Sequence, residues 1–189
     1  MDNTHPTTVS KCQTRIFRRL IIVIIIGLVL SGVTAFPLVW ELRLLTDWIG
    51  PVPAQDLTEA ALEPSEAGGV FNDLKAWLWT VRTGLENTQA QYPWIAYGTD
   101  WLAFGHLVIA VFFVGPYLWP RRDHRWTLIS GMIACVGIVP LAAIAGEVRG
   151  IPWGWRLIDC CFAVGAIVPL AWALHLHKNL LNELMAAHD

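Results

Sequence analysis

The chain has 189 residues, 55% hydrophobic and only 15% charged, with a formal net charge of −2 and a mean hydropathy of +0.49. A charged share well below the roughly 25% of soluble domains excludes a disordered chain, and the balance of signs removes the basic surface that nucleic-acid binding needs. Composition alone points to a polypeptide that keeps much of its length out of water.

Residues 1–19 form a basic N-terminal segment with Lys11, Arg15, Arg18 and Arg19. The first span is expected over 20–44, because Leu20 to Trp40 contains no Asp, Glu, Lys or Arg. About 20 apolar residues at 1.5 Å rise cross roughly 30 Å of hydrocarbon. Leu20 to Leu30 has no polar face, unlike a buried helix of a soluble protein. The run continues past the small residues Val33, Thr34 and Ala35, so an uncleaved span is expected rather than a signal peptide.

Residues 45–93 form an acidic segment, with Asp47, Asp56, Glu59, Glu63, Glu66, Asp73 and Glu86 against Lys75 and Arg82. Gly50 to Pro64 is turn-prone, and Gly68-Gly69 breaks it again. Then Phe71, Leu74, Leu78, Val81 and Leu85 recur at helical spacing, with Lys75, Arg82 and Glu86 toward the other side. An amphipathic helix is expected over about 71–86, lying on the membrane surface, capping the bundle or meeting a partner.

The second span is expected over 94–119, interrupted in its uncharged part only by His106. A basic loop, 120–126, carries Arg121, Arg122 and Arg125. The third span, 127–148, is rich in small residues, among them Gly131, Cys135, Ala142 and Gly146. Small residues let transmembrane helices approach closely, which suits a central position. A short turn, 149–156, leads to the fourth span, 157–177, and a tail, 178–189, beginning at Lys178. Each span carries one proline: Pro37, Pro116, Pro140 and Pro169. The expected fold is all-α: a polytopic four-transmembrane-helix bundle with an extra amphipathic helix in the outer loop.

Basic residues set the expected orientation. Lys11, Arg15, Arg18, Arg19, Arg121, Arg122, Arg125 and Lys178 fall on one side, and Arg43, Lys75, Arg82, Arg149 and Arg156 on the other. The positive-inside rule places both termini in the cytoplasm and the acidic segment outside. Tryptophans near the span ends, including Trp40, Trp94, Trp101, Trp119, Trp126 and Trp153, read as interfacial belts.

Ionisable residues near membrane spans are costly and mark function. Glu41, Arg43, Asp100, Glu147, Arg149, Arg156 and Asp159 all lie toward the outer ends and form the candidate polar cluster. They suit a mutually satisfied network that pins helix ends, which implies a structural or accessory protein. The alternative is a cup that binds a small molecule or couples to protons, with Asp100 and Asp159 deepest. His106 lies near mid-membrane, level with Cys135, and gives a third reading as a haem- or metal-binding electron-transfer subunit. No H-E-x-x-H, G-x-S-x-G, P-loop, dinucleotide-binding or C-x-x-C motif is present. No catalytic residue, metal site or cofactor is therefore expected. The expected partners are the lipid bilayer and a membrane protein or second copy, not nucleic acid.

The stretches Phe36-Pro-Leu-Val-Trp-Glu-Leu42, Tyr97-Gly-Thr-Asp-Trp-Leu-Ala-Phe-Gly-His106 and Arg149-Gly-Ile-Pro-Trp-Gly-Trp-Arg-Leu-Ile-Asp-Cys160 resemble a group of small, uncharacterised four-span bacterial membrane proteins. The likeness covers roughly residues 36–170. It implies a bacterial inner membrane and carries no activity with it.

Overall fold

The computed structural model describes residues 8–52 and 69–186. Glu59, Glu63 and Glu66, with Asp56 and most of the turn-prone stretch, lie outside the described residues. The chain folds as helix α1 (Thr8–Ala35), α2 (Leu38–Ile49), α3 (Gly69–Gln91), a 3₁₀ turn (Pro93–Ile95) and α4 (Ala96–Leu118). Then come α5 (Arg125–Pro140), a π turn (Leu141–Ala145), one helical turn (Gly146–Val148) and α6 (Trp153–Ala186). No strand occurs among the described residues. The protein is an all-α polytopic chain.

Four stretches are long and apolar enough to cross a bilayer: Lys11–Ala35, Pro93–Leu118, Arg125–Val148 and Trp153–Glu183. Only 22%, 22%, 17% and 17% of their most apolar windows are buried within the protein. The rest is apolar surface that water would not tolerate on this scale. Neighbouring apolar positions differ sharply in burial. Ala103, Ala110, Ala163 and Ala173 are buried, whereas Phe104, Phe112, Phe162 and Trp172 are at least half exposed.

The prolines act differently. At Pro37 the helix stops, with a turn at Phe36–Pro37 between α1 and α2. Pro37 has no amide hydrogen, and its ring disfavours helical geometry at Phe36. The helix restarts when the Glu41 amide donates to the Pro37 carbonyl at 3.0 Å. The first apolar run is thus two helices, not one rod over 20–44. Pro116 and Pro169 stay inside α4 and α6. Pro140 ends α5 and is followed by the π turn, where wider bonding takes up the missing donor.

The chain forms two compact units. The first comprises Met1–Leu30, His106–Pro140 and Cys160–Asp189. Its core joins Phe17, Ile21, Phe113, Leu128, Cys135 and Leu170 from α1, α4, α5 and α6. A side chain at Gly131 would meet Phe113 at 3.1 Å and Leu170 at 3.2 Å, so the glycine permits this approach. At Gly27, Gly98, Gly105 and Gly165 an added Cβ would meet nothing within 4 Å. Arg18 donates through Nε to the Tyr117 carbonyl at 3.1 Å and through Nη2 to the Leu118 carbonyl at 3.4 Å. These are carbonyls that a helix end leaves without partners.

The second unit comprises Ser31–Gly105 and Leu141–Asp159. Gly50 caps α2 with φ +83°, and its carbonyl accepts a 3.0 Å bond from the Trp79 indole of α3. Gly150, at φ +66°, closes the turn before α6. Its amide donates to Glu147, and the Ile151 amide to Gly146, at 3.1 and 2.8 Å. This paired pattern is a Schellman motif, which needs a residue with positive φ.

Candidate functional site

Helices α2 and α3 lie side by side and are joined by ionic contacts. Arg82 Nη1 donates to Thr46 Oγ1 and to Asp47 Oδ1, both at 2.7 Å, and Arg82 Nε to Glu86 Oε1 at 3.1 Å. Arg43 Nε reaches the same Glu86 oxygen at 2.6 Å. The Arg82 guanidinium also lies 4.8 Å from the Trp79 ring centre. Thr46, fully buried, donates in turn to the Leu42 carbonyl at 2.6 Å. Hydrogen bonds to Arg43 and then Arg82 hold the Glu86 carboxyl below its ordinary range, and Asp47 raises the Arg82 guanidinium above its own.

The helix expected over 71–86 runs longer, and its faces differ from expectation. Phe71 is exposed, whereas Ala76 and Leu78 are buried. Arg82 and Glu86, expected on the solvated side, make the contacts to α2. The sequence period marks Phe71 and Leu78 alike, but only α2's Asp47, Thr46 and Arg43 decide which face has a partner.

A cleft of about 490 Å³ opens beside this network. One wall comes from the helix break, Ala35 to Trp40 with Arg43, and another from the end of α3, Leu85 to Ala90. A third comes from Ile95, Ala96, Thr99 and Asp100. The break at Pro37 makes this concavity, since a continuous helix would present a convex face. Arg43 keeps Nη1 and Nη2 without a partner among the described residues, and Asp100 has no ion pair there. Asp100 is half-buried.

The remaining candidates fall elsewhere in the second unit. Arg156 donates through Nη1 to Glu147 at 2.6 Å and through Nε to the Ile151 carbonyl at 2.8 Å. Its aliphatic stem occupies the space beside Gly146, where an added Cβ would come within 2.6 Å of Cδ. Glu41, Arg149 and Asp159 make no ion pair with a described residue. The expected cluster therefore divides: Arg43 and Asp100 share the cleft, Glu147 and Arg156 lock the turn, and three members stand apart. His106 belongs to the first unit, half-buried in α4.

Sequence reasoning passed over Arg82, Asp47 and Glu86 as a clamp, and His177 as a buried group. His177 is fully buried in the first unit, stacks on Phe17 at 5.4 Å and accepts a 3.0 Å bond from the His124 amide through Nε2. Its other ring nitrogen, Nδ1, is buried without a hydrogen-bond partner among the described residues. The signal was available: Leu170, Ala173, His177 and Leu180 fall on one helical stripe. In the adjoining loop, Arg125 holds the Asp123 carboxyl well below its ordinary range through a 2.8 Å side-chain bond and a backbone bond.

Comparison of the chain with family models, curated proteins and solved structures returns no match.

Proposed function

We propose that this chain is an integral protein of a bacterial inner membrane with a structural or accessory role. Both termini lie in the cytoplasm, and α2 and α3 lie on the periplasmic side. The observation that carries the structural role is the Arg82 clamp. Arg82 Nε and Nη1 bond Glu86, Thr46 and Asp47 and so tie α3 to α2. The Arg156–Glu147 lock has the same character. The orientation rests on the basic residues of 1–19 and 120–126, and the bacterial membrane on the sequence resemblance. The bilayer is the constant partner, with a second copy or another membrane protein as the accessory one.

The test combines two measurements. A reporter active only in the periplasm stays silent when fused after Asp189 and is active when inserted after Gly50; the reverse overturns the orientation. For the clamp, Asp47→Arg and Arg82→Asp each lower the melting temperature in detergent, and the double exchange restores part of it. Absence of restoration overturns the structural role.

A second reading, small-molecule binding, is favoured by one observation. Arg43 and Asp100 line the same cleft, each with polar atoms left over.

A further inference from the structure

We propose that the cleft between α2, α3 and the start of α4 seats the headgroup of an aminophospholipid. The proposal rests on the small-molecule reading of that cleft and names its ligand class.

Three observations converge. The first is depth. Ala35, in the cleft wall, ends one membrane-crossing stretch, and the Pro93–Leu118 stretch begins within a few residues of Ile95 and Asp100. Span ends lie where hydrocarbon meets water, which is where headgroups reside. Trp40, a residue type favoured at that level, is part of the wall.

The second is charge. Glu86 is occupied by Arg43 and Arg82. Arg43 still offers two terminal nitrogens, a fork suited to phosphate oxygens. Asp100 offers a carboxylate that accepts hydrogen bonds from an ammonium. One donor fork and one acceptor in a single cleft match a phosphate and an amine on the same molecule. A headgroup carrying phosphate alone would leave Asp100 facing like charge. A quaternary amine would have no N–H to give it.

The third is the apolar wall. Phe36, Leu38, Val39 and Leu85 complete the cleft. They suit the glycerol ester region and the first methylenes of the chains, not a free water-soluble headgroup.

The experiment uses the full chain, delipidated in detergent and titrated with single lipids, with bound lipid counted by native mass spectrometry. Phosphatidylethanolamine binds about five-fold tighter than phosphatidylglycerol or phosphatidylcholine, the size expected of one partly solvated charge pair. Asp100→Asn reduces that ratio to about one without changing the melting temperature. Val39→Trp, which puts an indole into the cleft, displaces the tightly bound lipid. Glycerophosphoethanolamine at equal concentration does not displace it. Equal binding of the three lipids, or a preference that survives Asp100→Asn, overturns the headgroup assignment. Displacement by the soluble headgroup overturns the lipid as its source. Retention of bound lipid by Val39→Trp overturns the cleft itself, and with it the small-molecule reading.

Discussion

The two units are held by different forces. The first is an apolar core in which Phe17, Phe113, Leu128 and Leu170 interlock around Gly131. The second relies on arginines: Arg82 and Arg43 between α2 and α3, and Arg156 across the Gly150 turn. In hydrocarbon, packing and small-residue approach must hold helices together, because lipid tails are as apolar as the side chains. Where water reaches the backbone, charge-assisted bonds gain direction and specificity. Both units contain parts of the four apolar stretches, so the difference teaches how each is held together rather than which solvent it meets.

The largest expected effect breaks the apolar side of this comparison. Leu170→Ala removes a fully buried side chain beside Gly131 and Phe113 and costs about 2–4 kcal/mol. Thermal or denaturant unfolding in detergent measures it, and the loss is indifferent to salt. A loss under about 0.5 kcal/mol, typical of surface sites, would mean that this core carries little of the stability.

A smaller effect sharpens the ionic side. Glu86 is held below its unfolded value by Arg43 and Arg82. Its contribution is therefore fully present above the ordinary carboxylate range and is lost as pH falls through the depressed folded value. The protection of α2 and α3 amides, corrected for the intrinsic exchange rate at each pH, falls on acidification and at about 1 M salt, where charges are screened beyond roughly 3 Å. Glu86→Gln removes Glu86's part of that pH dependence. Protection in the Phe17–Leu170 core, corrected in the same way, should not follow pH in this range. If it does so in step with α2 and α3, the two units do not differ in this way.

Much of the fold was legible. Four uncharged runs gave four spans because length and apolarity are the direct demands of a bilayer. The end of the first run was less legible. Pro37, Pro116, Pro140 and Pro169 look alike in sequence, yet one separates two helices, one precedes a π turn and two sit inside their helices. The site was legible only in part. Arg43 and Asp100 were marked by their place near span ends, and the structure brings both to one cleft. Arg82 and Glu86 were not, because a helical period shows which residues share a face but not which face meets a neighbour. His177 was not marked, because a stripe of Leu170, Ala173, His177 and Leu180 shows a shared face but not that Phe17 and His124 cover it.

One feature of the spans reaches beyond this molecule. Inward Ala103, Ala110, Ala163 and Ala173 share the interior with Phe17, Phe113, Leu128 and Leu170, so fit to a neighbour replaces polarity as the property that tells the interior from the exterior. Outward positions can then exchange Leu, Ile, Val and Phe freely, while an inward alanine tolerates almost nothing larger. Sequences diverging under that rule would lose recognisable similarity along most of each span long before the architecture changed. What persisted would be the few inward positions, alanine or phenylalanine alike, whose volumes must match across helices.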